Sequence, residues 1–552
     1  MTIREAIKEY TLHNLGMTSE EYNALKDKSF GMDEKVRKKF YAIVKNSDHI
    51  DILGDYDCDG VTSTYIMYKL MTSTFHKDTG FLIPNRITDG YGIQKKLIDR
   101  LYERRKDALD RGEVCTIVTV DNGIAGAEPI AYAKELGFRV IVTDHHEQGL
   151  NEIPRADLVI DPKAKDCNPF DYDGYCGAGV AYKIAEQFVK NPKFLRHLRS
   201  FAALGTVADV MELTGDNYKI VKTALNELSN GIMPTSWRYL GKAYNTFPNH
   251  DFAWEDITEK DFGFMFGPII NAQSRMEDAG ATKAEKYLLH PTEEMAKEMV
   301  KVNETRKDLT KTLYAGVEKK IEETGLKSPL WVYIPQVNEG IIGILAGNIT
   351  ERFGVPCIVL TDTEDEKVLK GSARSIQGFD IFDYLCSLPK EYFVGFGGHT
   401  GAAGLSVYRD KLEEIQNLPD LSVYAECDHL EPNFVIDQDE MEECYHALRE
   451  FAPFGQGNPA PLFGVHMNPM EKKPYLCGSD KNTALFFGDH GKVTVFRYKD
   501  MLGDINPNKP FLAVGELNAE RYKGNKGINL IASELKDERT LEKEKGPNLQ
   551  IR

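Results

Sequence analysis

The sequence predicts a multidomain α/β protein with a doubly wound parallel sheet, a helical connecting region, a smaller α/β domain and a C-terminal antiparallel β-barrel. Apolar, β-branched runs of strand length alternate with helical stretches up to about residue 215, which is typical of a parallel sheet. A second alternation of this kind begins near Leu330. After Pro461, turn residues separate short β-rich runs, which indicates a small antiparallel barrel.

Changes in composition along the 552 residues set the predicted domain boundaries. The first ~45 residues are charged and helix-prone, and we expect them to pack on the outside of the first domain. A long charged helix over residues 301–319 connects two lobes or, alternatively, lies at the periphery of one lobe. We predict the parallel-sheet domain with its helical extension at 1–215, the connector at 216–325, the second α/β domain at 326–428, the barrel at 429–540 and a charged, disordered tail at 541–552.

Composition describes an ordinary globular protein and excludes several classes. Hydrophobic residues make up 42% of the chain and charged residues 28%. The net charge of −17 argues against a surface coated in basic residues, although nucleic-acid binding depends on where Lys and Arg cluster. Nine cysteines without a Cys-x-x-Cys pair predict neither a zinc ribbon nor a disulfide framework. Because no apolar leader or membrane-length apolar run is present, we expect a cytoplasmic protein with no membrane partner.

Five acidic or histidine-containing clusters in the first 210 residues indicate the chemistry. We place them at the ends of predicted strands: Asp55, Asp57 and Asp59; Asp121; Asp144, His145 and His146; Asp161; and Asp209. In an open parallel sheet, ligands bind at the carboxyl ends of the strands, so these side chains should converge. One such cluster alone is typical of a polar turn. The five together predict a two-metal phosphoesterase site, and their carboxylates suit Mg²⁺ or Mn²⁺, with histidine favouring Mn²⁺.

Three further motifs accompany these clusters. They are the glycine-rich residues 177–183, the segment 371–375 with Ser372 and Arg374, and residues 395–404, which hold five glycines around His399. With these residues the chain resembles the DHH phosphoesterase superfamily and, within it, the RecJ family of single-strand exonucleases, over nearly its whole length. The resemblance implies a DHH catalytic domain over 1–215, a DHHA1 substrate-binding domain over 326–428 and an OB-fold that binds nucleic acid over 429–540.

The resemblance also implies roles for individual residues. It makes Asp57, Asp59, Asp121, His145 and Asp209 metal ligands, with Asp121 bridging two ions, and it makes Asp55 a ligand or a residue that orients one. Asp144 would orient a histidine, His146 would contact the scissile phosphate or assist the leaving group, and His399 completes the catalytic set. The predicted substrate contacts are Arg86, Arg275, Ser372, Arg374, Gly397, Gly398 and His399.

Three positions depart from the family pattern. Leu53 stands where many relatives carry a metal-binding histidine, so one ion would have fewer protein ligands. Gln273 and Ser274 replace a small Ala-Gly pair, and Asn338 stands where relatives usually have histidine. We expect these changes to alter substrate details more than the reaction.

The predicted function is metal-dependent hydrolysis of single-stranded DNA from its 5′ end to mononucleotides, in DNA repair and recombination. Single-stranded DNA is the expected partner of a monomer, with a single-strand-binding protein or a helicase as a further candidate. Two alternatives remain: a phosphodiesterase for short RNA or cyclic dinucleotides, and a non-catalytic RecJ-like scaffold. A long C-terminal barrel argues against the first, and the intact metal-ligand set argues against the second.

Overall fold

Three β-sheets, with helices packed on them, make up the described part of this computed structural model. The structure describes residues 1–28, 30–90, 92–149, 152–164, 166–425, 429–478, 481–522 and 524–537, so the predicted tail at 541–552 lies outside the described residues. The strands are β1 (His49–Leu53), β2 (Asp78–Leu82), β3 (Cys115–Val120), β4 (Arg139–Thr143), β5 (Leu158–Ile160), β6 (Leu330–Tyr333), β7 (Cys357–Asp362), β8 (Val368–Arg374), β9 (Phe393–His399), β10 (Ala402–Tyr408), β11 (Phe434–Ile436), β12 (Phe463–Met467), β13 (Tyr475–Cys477), β14 (Thr483–Gly488), β15 (Gly491–Phe496), β16 (Phe511–Tyr522) and β17 (Asn525–Asp537).

Helices connect and cover the sheets. They are α1 (Ile3–Asn14), α2 (Ser19–Leu25), α3 (Glu34–Lys45), α4 (Cys58–Ser73), α5 (Lys95–Asp110), α6 (Ala127–Glu135), α7 (Gly177–Phe188), α8 (Pro192–Ala208), α9 (Gly215–Ser229), α10 (Thr235–Tyr244), α11 (Glu259–Asp261), α12 (Gly267–Met276), α13 (Gly280–Leu289), α14 (Glu293–Thr324), α15 (Glu339–Phe353), α16 (Ile381–Ser387), α17 (Leu412–Gln416), α18 (Met441–Phe451) and α19 (Tyr498–Leu502). A π-helix at Phe262–Phe266 joins α11 to α12, and 3₁₀ turns lie at Trp254–Asp256, Lys390–Tyr392, Arg409–Lys411 and Gln438–Glu440. None of the described helices has both the length and the apolar character that a membrane span needs.

The first sheet has the strand order β2-β1-β3-β4-β5, and all its neighbouring strands run parallel. Helices alternate with the strands, and every residue of β3 is buried. The predicted doubly wound parallel sheet is therefore confirmed. In this order β2 and β3 lie on opposite sides of β1, so the direction of the connections across the sheet reverses there. Such a reversal opens a crevice between the carboxyl ends of β1 and β3, where ligands bind.

The long helix α14 joins two lobes. At its start, Ala296, Met299 and Val300 belong to the hydrophobic core around the first sheet. Near its end, Val317 and Ile321 belong to the core around β6 and β7. The second sheet has the order β6-β7-β8-β10-β9, with only β6 and β7 parallel among its described pairs. A single helix of 32 residues thus contributes to two separate cores, as the connector interpretation requires.

The C-terminal sheet has the order β11-β12-β16-β17-β15-β14-β13. Its described neighbours are antiparallel except for β11 with β12 and β15 with β17. The N-terminal extension divides between two domains. Ile7 of α1 packs in the core beneath this sheet, whereas Phe40 and Val44 of α3 pack in the core of the parallel sheet. The amphipathic α1 and α18 pack against each other, so the N-terminal helix belongs to the same unit as the C-terminal domain.

Glu285 on α13 is fully buried, and neither of its carboxylate oxygens has a hydrogen-bond partner among the described residues. Burial raises the pKa of this carboxyl well above its usual value, which Lys69 only partly opposes. A carboxyl whose pKa is raised by folding does not lower the free energy of unfolding below its unfolded pKa of 4.5. Above that pH, it lowers the free energy of unfolding progressively until the pH reaches the folded pKa.

We therefore expect Glu285→Gln to stabilise the protein at pH 8 but hardly at pH 5. Each pH unit between the two pKa values adds about 1.4 kcal/mol to the difference, because glutamine stays neutral at every pH. Thermal unfolding across this range measures the effect, with Glu298→Gln on the exposed face of α14 as the control. Equal effects of the Glu285 substitution at both pH values would show that Glu285 is not held protonated.

Candidate active site

The first acidic cluster lies in the crevice between β1 and β3. Asp55 and Asp57 occupy the turn that follows β1, and Asp57 begins α4 by accepting a hydrogen bond from the Gly60 N–H at 2.9 Å. Asp59 lies in the first turn of α4. Asp121 follows β3 directly in a left-handed conformation (φ 59°), which turns its side chain away from the strand direction.

His145, after β4, brings the clusters together. Its Nε2 atom lies 3.0 Å from Oδ1 of Asp121 and 3.7 Å from an oxygen of each of Asp59 and Asp209. Within the part of the chain that the structure describes, three sets of residues hold ligand atoms that lie within 4.8 Å of one another: Asp121, His145 and His146; Asp59, His145 and Asp209; and Asp55, Asp57 and Asp121. All six residues that we predicted as metal ligands belong to these sets, and Asp121 and His145 each belong to two.

Asp209 does not follow a strand, so the prediction for the fifth cluster is wrong on this point. Residues Pro192–Ala208 form α8, which Asn191 caps at its start, and Asp209 is the residue that ends the helix. The apolar stretch before Asp209 has the length of a strand when read alone. It is buried as the last turns of a helix, where Phe201, Ala202 and Leu204 pack in the core.

The N-terminus of α7 holds Asp59 in place. The N–H groups of Gly177 and Ala178 donate to Oδ2 and Oδ1 of Asp59 at 2.6 and 2.9 Å. These unpaired amides and the helix dipole favour a carboxylate at this position. A Cβ atom at residue 177 would lie 2.5 Å from Cβ of Asp121, so only glycine lets α7 approach both carboxylates.

We expect Gly177→Ala to weaken Mn²⁺ binding and to reduce activity, because the added methyl group displaces Asp121. Calorimetric titration with Mn²⁺ measures the change in affinity. Gly316→Ala is the matched control, because a Cβ atom there would meet no atom within 4 Å and alanine in a helix interior is favourable. A Gly177→Ala variant that binds Mn²⁺ like the control would show that the close approach is not required.

The electrostatics of this cluster fit divalent cations. Burial, with Asp57 nearby, raises the pKa of Asp55 to about 8, and burial, with Asp59 nearby, raises the pKa of Asp209 to about 8. Burial lowers the pKa of His145 to about 4, which keeps its imidazole neutral and able to bind a metal. Asp55 Oδ1, Asp121 Oδ1 and His145 Nδ1 are buried without a hydrogen-bond partner among the described residues. Buried carboxylates that repel one another need compensating positive charge, and this oxygen-rich set suits Mn²⁺ or Mg²⁺.

Asp144 acts through His146 and is absent from the three ligand sets. Its Oδ1 accepts a hydrogen bond from Nδ1 of His146 at 2.7 Å, and its Oδ2 accepts one from the Ile124 N–H at 2.8 Å. Burial alone would lower the pKa of His146, but the bond to Asp144 raises it to about 9. Asp144 therefore orients the ring of His146 and favours its protonated form.

Comparison with known proteins identifies the family. The model of the DHH family N-terminal domain matches residues 49–206, that of the DHHA1 domain matches 328–421, and that of the RecJ OB domain matches 434–534. The single-stranded-DNA-specific exonuclease RecJ of Salmonella typhimurium is 33% identical over 473 residues, which cover 80% of this chain and 79% of that protein. The chain belongs to the RecJ family. The Escherichia coli RecJ is 32% identical over 80% of this chain and 78% of its own length.

Solved structures show the same RecJ fold. The crystal structure of RecJ from Thermus thermophilus in complex with Mn²⁺ matches with a TM-score of 0.71 and 22% identity, covering 96% of this chain and 75% of that one. A structure of exonuclease RecJ bound to manganese matches with a TM-score of 0.56 and 26% identity, covering 70% of this chain and 95% of that one. The predicted family and fold class, including the DHHA1 and OB domains, are confirmed.

Four of the predicted RecJ substrate contacts are grouped together: Arg86, Arg275, Ser372 and Arg374. Arg86 lies 4.6 Å above the ring of Tyr56, and Arg275 donates from Nη1 to the Gly340 carbonyl at 2.9 Å. Arg374 donates from Nη1 to Ser372 Oγ at 3.1 Å. Burial, with Arg86 and Arg306 nearby, lowers the pKa of Arg275 to about 9, and burial, with Arg86 nearby, also lowers the pKa of Arg374. These residues form a positive cluster where the two lobes meet beside the acidic site.

Residues 397–399 lie at the end of the edge strand β9, where His399 pairs with Ala402 of β10, which pairs in turn with Arg374 of β8. Gly397, Gly398 and His399 are exposed, and His399 Nδ1 accepts a hydrogen bond from the Gly401 N–H at 3.3 Å. Among the described residues, none of the three ligand sets of the acidic site includes His399. The roles predicted for these three residues therefore stay predictions.

Sequence reasoning missed two residues near the site. Asn271 on α12 accepts a hydrogen bond from the Cys58 N–H at 2.8 Å, which fixes the first turn of α4 against the connector. Arg306 on α14 adds to the positive cluster around Arg275. Asn271 lies in a segment that resembles the family, so it could have been identified. Nothing in the sequence distinguishes Arg306 from the other charged residues of its helix.

The departures from the RecJ pattern have structural roles. Leu53 is 1% exposed and packs in the core beneath β3. Gln273 joins two helices, because its Nε2 donates to the carbonyls of Ile269 and Met299 at 2.8 and 3.0 Å. Asn338 begins α15 by accepting a hydrogen bond from the Gly340 N–H at 2.7 Å. Apolar packing or structural hydrogen bonds thus occupy these positions.

Proposed function

We propose that this protein is a metal-dependent exonuclease that hydrolyses single-stranded DNA from its 5′ end and releases mononucleotides, in DNA repair and recombination. The convergence of Asp57, Asp121, His145 and Asp209 at the crevice of the first sheet carries the proposal. Membership of a family whose curated relatives are named single-stranded-DNA-specific exonucleases supports the substrate. We further propose that it acts in the cytoplasm as a monomer, with a single-strand-binding protein or a helicase as partner.

The ligand sets suggest how two ions are held. Asp55, Asp57 and Asp121 would hold one ion, and Asp59, His145 and Asp209 would hold the other. Asp121, 3.0 Å from His145, is placed to be shared between them. Two bound Mn²⁺ or Mg²⁺ ions would supply an activated water and neutralise charge on the phosphodiester. Protonated His146, oriented by Asp144, would donate a proton to the leaving oxygen or a hydrogen bond to the phosphate.

Exposed aromatic side chains of the C-terminal domain favour a long single strand of DNA as substrate over a short molecule. Tyr475, Phe487 and Phe496 are 63%, 58% and 51% exposed, so their rings are available to bases. Phe486 and Tyr498 are buried in the core instead. Exposed aromatic rings can stack on bases at about 1–3 kcal/mol per base. A phosphodiesterase for cyclic dinucleotides or short RNA would have no use for this surface.

The 5′ polarity rests on the positive cluster. Arg374 and Ser372 are adjacent donors on β8, and Arg86 adds charge beside them. We expect Arg374→Ala to reduce hydrolysis of 5′-phosphorylated strands more than that of 5′-hydroxyl strands. Loss of a charge-assisted hydrogen bond costs about 1.5–3 kcal/mol, or roughly 10- to 150-fold in that preference. Ratios of kcat/KM for both ends measure it, with exposed Arg155→Ala as control; equal losses on both ends would contradict the assignment.

One assay tests the proposal as a whole. The protein is incubated with Mn²⁺ and with end-labelled single-stranded DNA, duplex DNA and single-stranded RNA, and the products are resolved by length. We expect mononucleotides from the 5′ end of single-stranded DNA and little product from duplex. Rapid loss of the RNA but not the DNA would favour the short-RNA phosphodiesterase. No product from any substrate, with Mn²⁺ bound, would favour the scaffold.

A further inference from the structure

The three arginines of the positive cluster come from three separate segments of the chain. Arg86 lies in the turn of residues 85–89 between β2 and α5, Arg275 lies in the last turn of α12, and Arg374 ends β8. Arg86 and Arg374 both lower the pKa of Arg275, because like charges at this distance repel one another. Contacts between the three segments therefore have to hold the cluster together before a phosphate arrives.

Arg275 and Arg374 are joined through the start of α15. Arg275 donates to the carbonyl of Gly340, and a Cβ atom on Gly343 would lie 3.1 Å from Nη2 of Arg374. Because both glycines belong to the same helix, the spacing between these two arginines is fixed by α15. Arg86 needs a different attachment, since it lies on the parallel-sheet domain.

Asp278, in the turn between α12 and α13, attaches the segment that carries Arg86. Its Oδ1 accepts hydrogen bonds from the N–H groups of Ile87 and Thr88 at 3.1 and 3.3 Å. Its Oδ2 accepts one from the hydroxyl of Thr88 at 2.6 Å. One carboxylate thus joins the two residues that follow Arg86 to the segment that carries Arg275.

The turn that carries Arg86 is also closed within its own domain. The carboxylate of Asp89 accepts a hydrogen bond from the Asn85 N–H at 2.8 Å. It accepts two more from Nη1 and Nη2 of Arg100, on α5, at 2.7 and 2.8 Å. Loss of Asp278 should therefore leave this turn folded and release only its position relative to the connector.

The turn that carries Asp278 is rigid as well. A Cβ atom on Gly280 would lie 1.9 Å from the carbonyl oxygen of Gln273, so this turn packs tightly on the end of α12. The N–H of Gly280 donates to the carbonyl of Glu277 at 3.0 Å and closes the turn around Asp278. Asp278 is thus held at a fixed position next to Arg275, which the Arg86 turn can use as an anchor.

We propose that Asp278 is a positioning residue that holds Arg86 in the positive cluster beside Arg275, ready for the 5′ phosphate of the strand. The inference rests on the proposed function, in which Arg86 contacts that phosphate. Asp278 acts through the turn of residues 85–89 and belongs to none of the three ligand sets among the described residues. Its hydrogen bonds offset the repulsion among the arginines, so the cluster is formed before binding and less free energy is lost when the phosphate arrives.

The test compares Asp278→Ala with Glu277→Ala, a neighbouring exposed carboxylate whose ion-pair partner is Lys283. We expect Asp278→Ala to raise KM for 5′-phosphorylated strands by about tenfold, the effect of one lost charge-assisted hydrogen bond. KM for 5′-hydroxyl strands should change much less, and kcat should stay the same because the metal ligands are untouched. Glu277→Ala should behave like the unmodified protein on both kinds of end.

Two further substitutions show whether the effect passes through the turn. Asp278→Asn should restore KM, because its amide oxygen accepts from the same N–H groups and its amide nitrogen can donate to the Thr88 hydroxyl. Thr88→Val, which removes the hydroxyl bond alone, should show part of the rise in KM and provides the same comparison if Asp278→Ala does not fold. An Asp278→Asn variant as impaired as Asp278→Ala would overturn the proposal, because charge rather than positioning would then be responsible.

A double variant tests the link to Arg86. Adding Asp278→Ala to Arg86→Ala should raise KM no further than Arg86→Ala alone, because two residues that act as one unit are not additive. Full additivity, or an equal rise in KM for both kinds of end, would refute the role of Asp278 while Arg86→Ala still loses the preference for the phosphate. If Arg86→Ala and the unmodified protein show the same preference, the phosphate contact proposed for Arg86 fails together with this inference.

Discussion

Asp121→Asn should abolish hydrolysis of single-stranded DNA while the protein stays folded. Asp121 belongs to two of the three ligand sets, so losing its charge disturbs both predicted ions. Substitution of an outer partner of a metal site already costs 10- to 100-fold, and we expect a shared ligand to cost more than about 100-fold in kcat. Asparagine is the better substitution here, because it tolerates the left-handed backbone of residue 121 and alanine does not.

Steady-state hydrolysis and Mn²⁺ titration of the same preparation provide the measurement. Asp173→Asn, at an exposed position, is the control for the loss of one carboxylate. Turnover close to that of the control by a folded variant that still binds two Mn²⁺ ions would refute the shared-ligand role. Loss of turnover together with one bound ion is the expected result.

His146→Ala should lower kcat by about 10²- to 10⁴-fold, the range for loss of a positioned acid or base. Its ring is fixed by Asp144, and its raised pKa provides a proton at neutral pH. His146 also lies in one ligand set with Asp121 and His145, so it could instead bind a metal. The two roles predict different results. A proton donor loses kcat with Mn²⁺ affinity unchanged, whereas a ligand loses both together.

Asp144→Asn is the companion variant for His146. It removes the carboxylate that accepts from Nδ1 while keeping a similar side-chain volume. We expect a smaller loss of kcat than for His146→Ala, because the histidine remains but is less well oriented. The pH dependence of kcat should also shift, since the raised pKa of His146 depends on Asp144. An unchanged pH profile would show that this bond does not control the protonation of His146.

The sequence predicted the parts of the site that follow strands of the first sheet. Asp57, Asp121 and His145 each come after an apolar run, and parallel strands deliver their ends to one edge. Asp209 was assigned to the site by family resemblance. The strand predicted before it was wrong, because a buried helix end and a buried strand have the same apolar composition. Local pattern could not resolve this, since the difference lies in how the segment packs.

The contacts between domains could not be predicted from the sequence, for a different reason. The packing of α1 against α18 joins residues that are more than 400 positions apart, as in the bond from Arg4 Nε to Glu450 at 2.7 Å. An amphipathic helix shows which face is buried but not which partner covers it. The positive cluster around Arg275 likewise depends on the meeting of two lobes, and its member Arg306 has no local signal.

The two lobes are joined at two places, and this affects how a DNA strand enters the enzyme. The first connection is α14, a continuous helix about 48 Å long at 1.5 Å per residue. Each of its ends packs in a hydrophobic core. Beside the acidic site the lobes touch again, where a Cβ atom on Gly340 would lie only 2.3 Å from the Arg275 carbonyl oxygen. Parting the lobes would break packed contacts at both points. We therefore expect DNA to enter from a free end, so a circular single strand should be degraded far more slowly than a linear strand of the same sequence.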